Sequence, residues 1–146
     1  MRTARSTVSE VTVFRKGLAT LDFVEGLHAA LDELAAAAPE VPEDDFSLFS
    51  LAVIEIATNI AVHAPRGAEE VSLSVTLTAG DNLLAVLRDS AAPVHLDLTA
   101  RTMVDALAES GRGLAIAAAV CDELSIERRD GNVWRLVRCL GPQVHR

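Results

Sequence analysis

Tyrosine is absent from the 146 residues, and one Trp and four Phe make up the whole aromatic complement. Stacking platforms for unpaired bases are therefore scarce, which argues against a single-stranded nucleic-acid surface. Positive charge is also short. Thirteen Lys and Arg face 21 Asp and Glu, for a formal net charge of −8. Such a surface repels phosphate backbones and anionic membranes and favours basic proteins, so neither nucleic acid nor membrane is expected as a direct partner. Cysteine is limited to Cys121 and Cys139, and neither belongs to a C-x-x-C pair. That pattern fits two reduced thiols in a cytoplasmic protein. The N-terminal MRTARSTVSEV has no apolar core behind its two arginines, so it does not read as a signal peptide. The longest apolar segment is interrupted by Glu55 and Asn59, which argues against a membrane span.

What is present is a sizeable aliphatic core. Half of the residues are hydrophobic, enough for one globular domain over 1–146 with its core at about 10–140. Residues 9–15 alternate around Val11 and Val13 and predict a strand. Val24, Leu27, Leu31 and Leu34 form the apolar stripe of a helix over 20–37, with Asp22, Glu25, Asp32 and Glu33 off it. Pro39 and Pro42 end that helix. Glu43, Asp44 and Asp45 suit the first turn of a second helix, over 44–64. VSLSVTLT at 71–78 alternates without a fault and predicts a half-buried strand. Gly80, Asp81 and Asn82 turn it back into a second strand that ends at Asp89. Short helices are predicted over 98–109 and 113–121. A closing hairpin turns at Asp130-Gly131, a favoured type I′ pair. The order points to an α+β fold. It is a two-layer sandwich with a mixed, mostly antiparallel sheet covered by helices on one face.

The second helix carries EIATNIAVH, with Glu55, Asn59 and His63 four residues apart. Each step of four advances about 40° around a helix, so the three share one stripe roughly 80° wide. Leu48, Leu51, Val53, Ile54, Ile56, Ile60 and Val62 make the rest apolar almost all round, so the helix is expected to be largely buried. An unsatisfied buried polar group costs about 1–3 kcal/mol, so the stripe needs partners. Those partners lie either inside the core or in a wet cleft, and three polar groups in register favour the cleft. A carboxylate beside a carboxamide suits Mg²⁺, which takes few protein oxygens together with water and phosphate. No second His completes an H-E-x-x-H zinc site, and no G-x-S-x-G marks a serine nucleophile.

Two further segments can complete a cleft. In LRDSAAPV, Asp89 ends a strand, where it either accepts a hydrogen bond from an exocyclic amine or caps its own turn. In ESGRGLAI, Gly111 and Gly113 flank Arg112 at a helix start, where backbone N–H groups approach an anion.

ExxxNxxxH on a helix, an Asp after a hairpin strand, SGRGL opening a helix and a terminal DELSIE…GNVWRLV hairpin, in that order, resemble the GHKL ATPase (Bergerat-type) fold. Within it, the short chain is most similar to the bacterial anti-sigma factor serine-protein kinases. The resemblance implies ATP and Mg²⁺ as ligands. It implies Glu55 as general base, Asn59 as Mg²⁺ ligand and His63 as the last position of that box. Asp89 would read adenine through its amino group. Gly111, Arg112 and Gly113 would form the phosphate-side glycine box under a lid at about 94–110. The implied partners are a sigma factor, an STAS-type anti-anti-sigma antagonist phosphorylated on Ser or Thr, and a second copy in a homodimer. Ala91 and Pro93 stand where the family has Gly, and Gly131-Asn132 where it has Gly-Thr. If Ala91 needs positive φ it is strained by about 1 kcal/mol or more, and its methyl would crowd the nucleotide. These departures leave a second reading open, a degenerate binding module that captures its partner without ATP. An ATPase module of a sensor histidine kinase is a third.

Overall fold

The computed structural model describes residues 9–63, 70–92 and 113–141. Its elements are strand β1 (Val11–Leu18), helices α1 (Leu21–Ala37) and α2 (Glu43–His63), strands β2 (Ser72–Ala79) and β3 (Asn82–Asp89), helix α3 (Gly113–Val120), and strands β4 (Glu123–Arg128) and β5 (Asn132–Cys139). The five strands form one open sheet in the order β1-β2-β3-β5-β4, and all four pairings are antiparallel. The predicted mixed pairing is thus absent among the described strands. Each neighbour pair is joined by a hairpin or by a connection that returns the chain in the opposite direction, so no parallel crossover arises. The expected helix at 98–109, the lid at 94–110, Pro93, Gly111 and Arg112 lie outside the described residues.

The alternation in β2 becomes a strict in–out pattern. Leu73, Val75, Leu77 and Ala79 are buried and the hydroxyl residues between them are half-buried. Leu83, Ala85, Leu87 and Asp89 of β3 continue the inner face, as do Asn132, Trp134 and Leu136 of β5. On that face sits the α1 stripe of Val24, Leu27, Leu31 and Leu34, together with Ala30. Thr20 caps α1, its hydroxyl accepting from the Phe23 N–H at 3.1 Å. β1 runs to Leu18, past the expected end at residue 15, because its pairing with β2 holds as far as Leu18 opposite Ser72.

Helix α2 lies between α1 and α3 and buries Phe49, Ala52, Val53, Ile56, Ala57, Ile60 and Ala61. It is not buried all round, as its composition suggests. Leu51 and Val62 are 40% and 51% exposed, and Glu55 and Asn59 are half-buried. By length and hydropathy alone this helix could cross a bilayer. Here its apolar side is used against the sheet. Arg138 ties β5 to the helices: its guanidinium bridges Asp45 at 2.8 Å and donates to the Val120 carbonyl. Both cysteines are free thiols. Burial pushes the Cys121 thiol up to about 11, with Arg138 pulling it down and Asp122 pushing it up.

Candidate functional site

Glu55 and Asn59 sit one turn apart on α2, and Glu55 lies against the start of α3. Neither side chain forms a hydrogen bond among the described residues, and neither is sealed from solvent. The Glu55 carboxylate and the Asn59 carboxamide are therefore uncommitted. His63, in the last turn of α2, is exposed and contributes no contact to the pair.

Gly113 is the first residue of α3, and it lies against Glu55. A Cβ built there would lie 2.6 Å from Glu55 Oε1 and 3.7 Å from Glu55 Cβ. The absence of a side chain at 113 is what lets the α3 N-terminus approach the carboxylate. The unpaired N–H groups of that first turn and the helix dipole favour negative charge at this point. An ionised Glu55, or a phosphate beside it, suits that field.

Asp89 is built differently. It is 4% exposed, and its carboxylate is held by three donors from its own chain. Oδ1 accepts from the Ala91 N–H at 2.9 Å and from Asn132 Nδ2 at 2.8 Å. Oδ2 accepts from the Trp134 indole N–H at 2.9 Å. Asn132 Nδ2 also donates to the Ala92 carbonyl at 3.0 Å, and Arg128 donates to the Ala91 carbonyl at 3.2 Å. The turn after β3 is thereby fastened to the start of β5. Of the two sequence readings of Asp89, the turn cap is the one seen here. A carboxylate offers about four lone-pair sites, so one acceptor position on Oδ2 is left for an outside donor.

Ala91 corrects an expectation. Asp130 is the one non-glycine residue with positive φ among those described, so Ala91 carries no left-handed strain. Its methyl is 3% exposed and belongs to the core, where it does not line an open site. Two participants were missed in the sequence. They are Trp134 and Arg128, for which the sequence offered no signal. Only the pairing of β3 with β5, which sets Asp89 opposite Asn132 and Leu87 opposite Trp134, brings the indole to the carboxylate.

The described site therefore has two parts, the uncommitted Glu55 carboxylate against the start of α3 with Asn59 one turn on, and the buried Asp89 carboxylate. A search of curated proteins returns no match. A family model, the histidine kinase-like ATPase domain, matches residues 18–138 and so spans α1, both halves of the site and nearly all of β5. The chain belongs to the histidine kinase-like ATPase domain family.

Proposed function

We propose that the protein is an anti-sigma regulator that binds Mg-ATP, phosphorylates a Ser or Thr of an STAS-type anti-anti-sigma antagonist, and sequesters a sigma factor. We place it in the cytoplasm as a homodimer. The observation that carries this reading is the uncommitted Glu55 carboxylate against the α3 N-terminus at Gly113, with Asn59 one turn on. The family implies nucleotide binding, usually with Mg²⁺. The residues present fit that ligand on the phosphate side. Asn59 offers a neutral oxygen for the metal, and the α3 N-terminus offers backbone N–H groups to phosphate. On the base side Asp89 retains one acceptor position for an exocyclic amine.

Bound Mg-ATP supplies the phosphoryl group and neutralises its charge. Glu55 accepts the proton of the attacking serine hydroxyl as the oxygen–phosphorus bond forms, and the electron pair of the broken bond leaves on ADP. Asn59 would hold the metal through its neutral carboxamide oxygen. Gly113 keeps the carboxylate in place by being small.

Gly113→Ala tests that last role. Its methyl would collide with Glu55 Oε1, the free end of a flexible side chain, so the carboxylate swings away. Alanine also favours a helix, so stability should change by less than about 1 kcal/mol. Transfer should fall by roughly tenfold or more, because small misplacements of a reacting group are costly. Equal losses of melting temperature and rate would contradict this role.

A second reading is favoured by one observation, the three intrachain donors on Asp89. It is a module that captures its partner without nucleotide. Titration calorimetry with Mg-ATP separates the two. The kinase reading expects binding, followed by transfer of labelled phosphate to a purified STAS-type protein. No heat at roughly millimolar nucleotide, the weakest affinity of ordinary substrates, would leave the capture module.

A further inference from the structure

All three described helices lie on one face of the sheet, and no described element covers the other face. Two cross-strand rows run over it. One carries Lys16, Ser74, Arg88, Val133 and Glu127. The next carries Phe14, Thr76, Val86, Arg135 and Ser125. Arg88 lies opposite Val133 and Arg135 opposite Val86, so the two exposed arginines are diagonal neighbours on adjacent strands. Like charges at that range repel.

Neither arginine has an ion pair or hydrogen bond among the described residues. The contrast with the other arginines is sharp. Arg15 bridges Glu33, Arg129 bridges Glu127 and Arg138 bridges Asp45. Acids outnumber bases in this chain, so neutralising partners are plentiful. The acids facing this surface do not serve. Glu127 is held by Arg129, Glu123 lies diagonal to Arg135, and Asp130 borders the same cavity as Arg88, yet neither of the last two makes an ion pair among the described residues.

The two guanidinia border a cavity of about 350 Å³ floored by Val86 and Val133, with Ser125 and the Arg129–Glu127 pair at its rim. A second cavity of about 200 Å³ continues past Arg88 to Lys16, Ser74 and Ser90, with Asp89 and Asp130 also on its wall. The same face exposes Phe14 and Leu18, which are 54% and 45% accessible. Arginine and aromatic side chains around an apolar floor are what protein interfaces are enriched in. The charge is opposite to that of the whole chain, so its sign selects the partner.

We propose that this open sheet face docks an extended segment of a protein partner in which acidic side chains alternate with apolar ones. Its carboxylates settle between Arg88, Arg135 and Lys16, and its apolar side chains cover Val86, Val133 and Phe14. The partner removes the repulsion that the free protein tolerates. The site is on the opposite side of the sheet from Glu55 and Asn59, so the inference stands or falls apart from any nucleotide chemistry.

The test is fluorescence anisotropy with a labelled synthetic peptide of alternating Glu and Leu, using the full chain. Binding is expected, and it should weaken about tenfold or more in the Arg88→Ala/Arg135→Ala double variant, with Mg-ATP affinity unchanged. Salt keeps the test decisive if the variant does not fold. The wild-type affinity should fall by a similar factor between about 50 and about 500 mM NaCl, as screening shortens the reach of the charges. A peptide of alternating Lys and Leu should not bind. Three results would overturn the proposal: no binding of the acidic peptide, its complete displacement by inorganic pyrophosphate, or a loss of self-association in the double variant. The last two would assign the face to a small anion or to a second copy of the chain.

Discussion

Glu55→Gln is expected to lower phosphoryl transfer to the protein antagonist by about 10²–10⁴-fold, the usual contribution of a positioned general base. Mg-ATP affinity should stay within about threefold, because the variant removes a role played when the hydroxyl proton moves. The substitution keeps the size of the side chain and removes only its ability to take a proton. Nothing in the fold depends on the carboxylate. It makes no hydrogen bond among the described residues, and it is half-buried, so no buried partner is orphaned. Stability should therefore hold within about 0.5 kcal/mol. The measurement is single-turnover transfer of labelled phosphate, with calorimetry run on the same preparation. A variant that transfers at the wild-type rate would show that Glu55 is not the base. A variant that loses binding and transfer together would mean that Glu55 holds the nucleotide.

The stripe of Glu55, Asn59 and His63 was legible because a helix has a fixed period, and that period needs no knowledge of what surrounds it. The same holds for the α1 stripe, where all four predicted apolar positions are buried. Strand β2 was legible for the equivalent reason, a period of two on a half-buried surface. What was illegible is long-range. Asp89 and Trp134 are 45 positions apart, and their contact depends on β3 pairing with β5 instead of β4. No local pattern fixes that order. The extent of burial on α2 was overestimated for a related reason. Composition reports how apolar a helix is, but its neighbours decide how many of its sides are covered, and α2 leaves Leu51 and Val62 outside. The concern over Ala91 came from assuming that the backbone of this chain follows that of glycine-bearing relatives. Here the turn is closed by Asp89, Asn132 and Arg128 with ordinary dihedrals, and alanine fits it.

Asp89 links stability to the site, and the position that exposes this link most is Gly131. Gly131→Ala is expected to destabilise the protein by about 2–4 kcal/mol, combining a strained backbone with a displaced buried polar group. Two independent causes act. Gly131 has φ +119°, a region that L side chains rarely adopt. A Cβ there would also overlap the Asp89 backbone carbonyl oxygen, which cannot rotate aside as a side chain can. The hairpin turn or the end of β3 must move. Either movement pulls Asn132 from Asp89 and Ala92 and leaves a buried carboxylate short of a donor. For a chain of this size the melting temperature should fall by roughly 5–15 °C. Gly80→Ala is the control: it sits in the other tight hairpin turn, shows no positive φ, and would meet only the flexible side chain of Glu10 at 3.4 Å. It should cost less than about 1 kcal/mol. Trp134 is the sole tryptophan in a chain without tyrosine, so its fluorescence reports directly on the indole that donates to Asp89. In Gly131→Ala the emission should shift under native conditions, before unfolding begins, whereas Gly80→Ala should leave it in place. If the two alanine variants melt together and emit alike, the Gly131 turn does not hold Asp89, and the carboxylate is fixed by β3 and Trp134 alone.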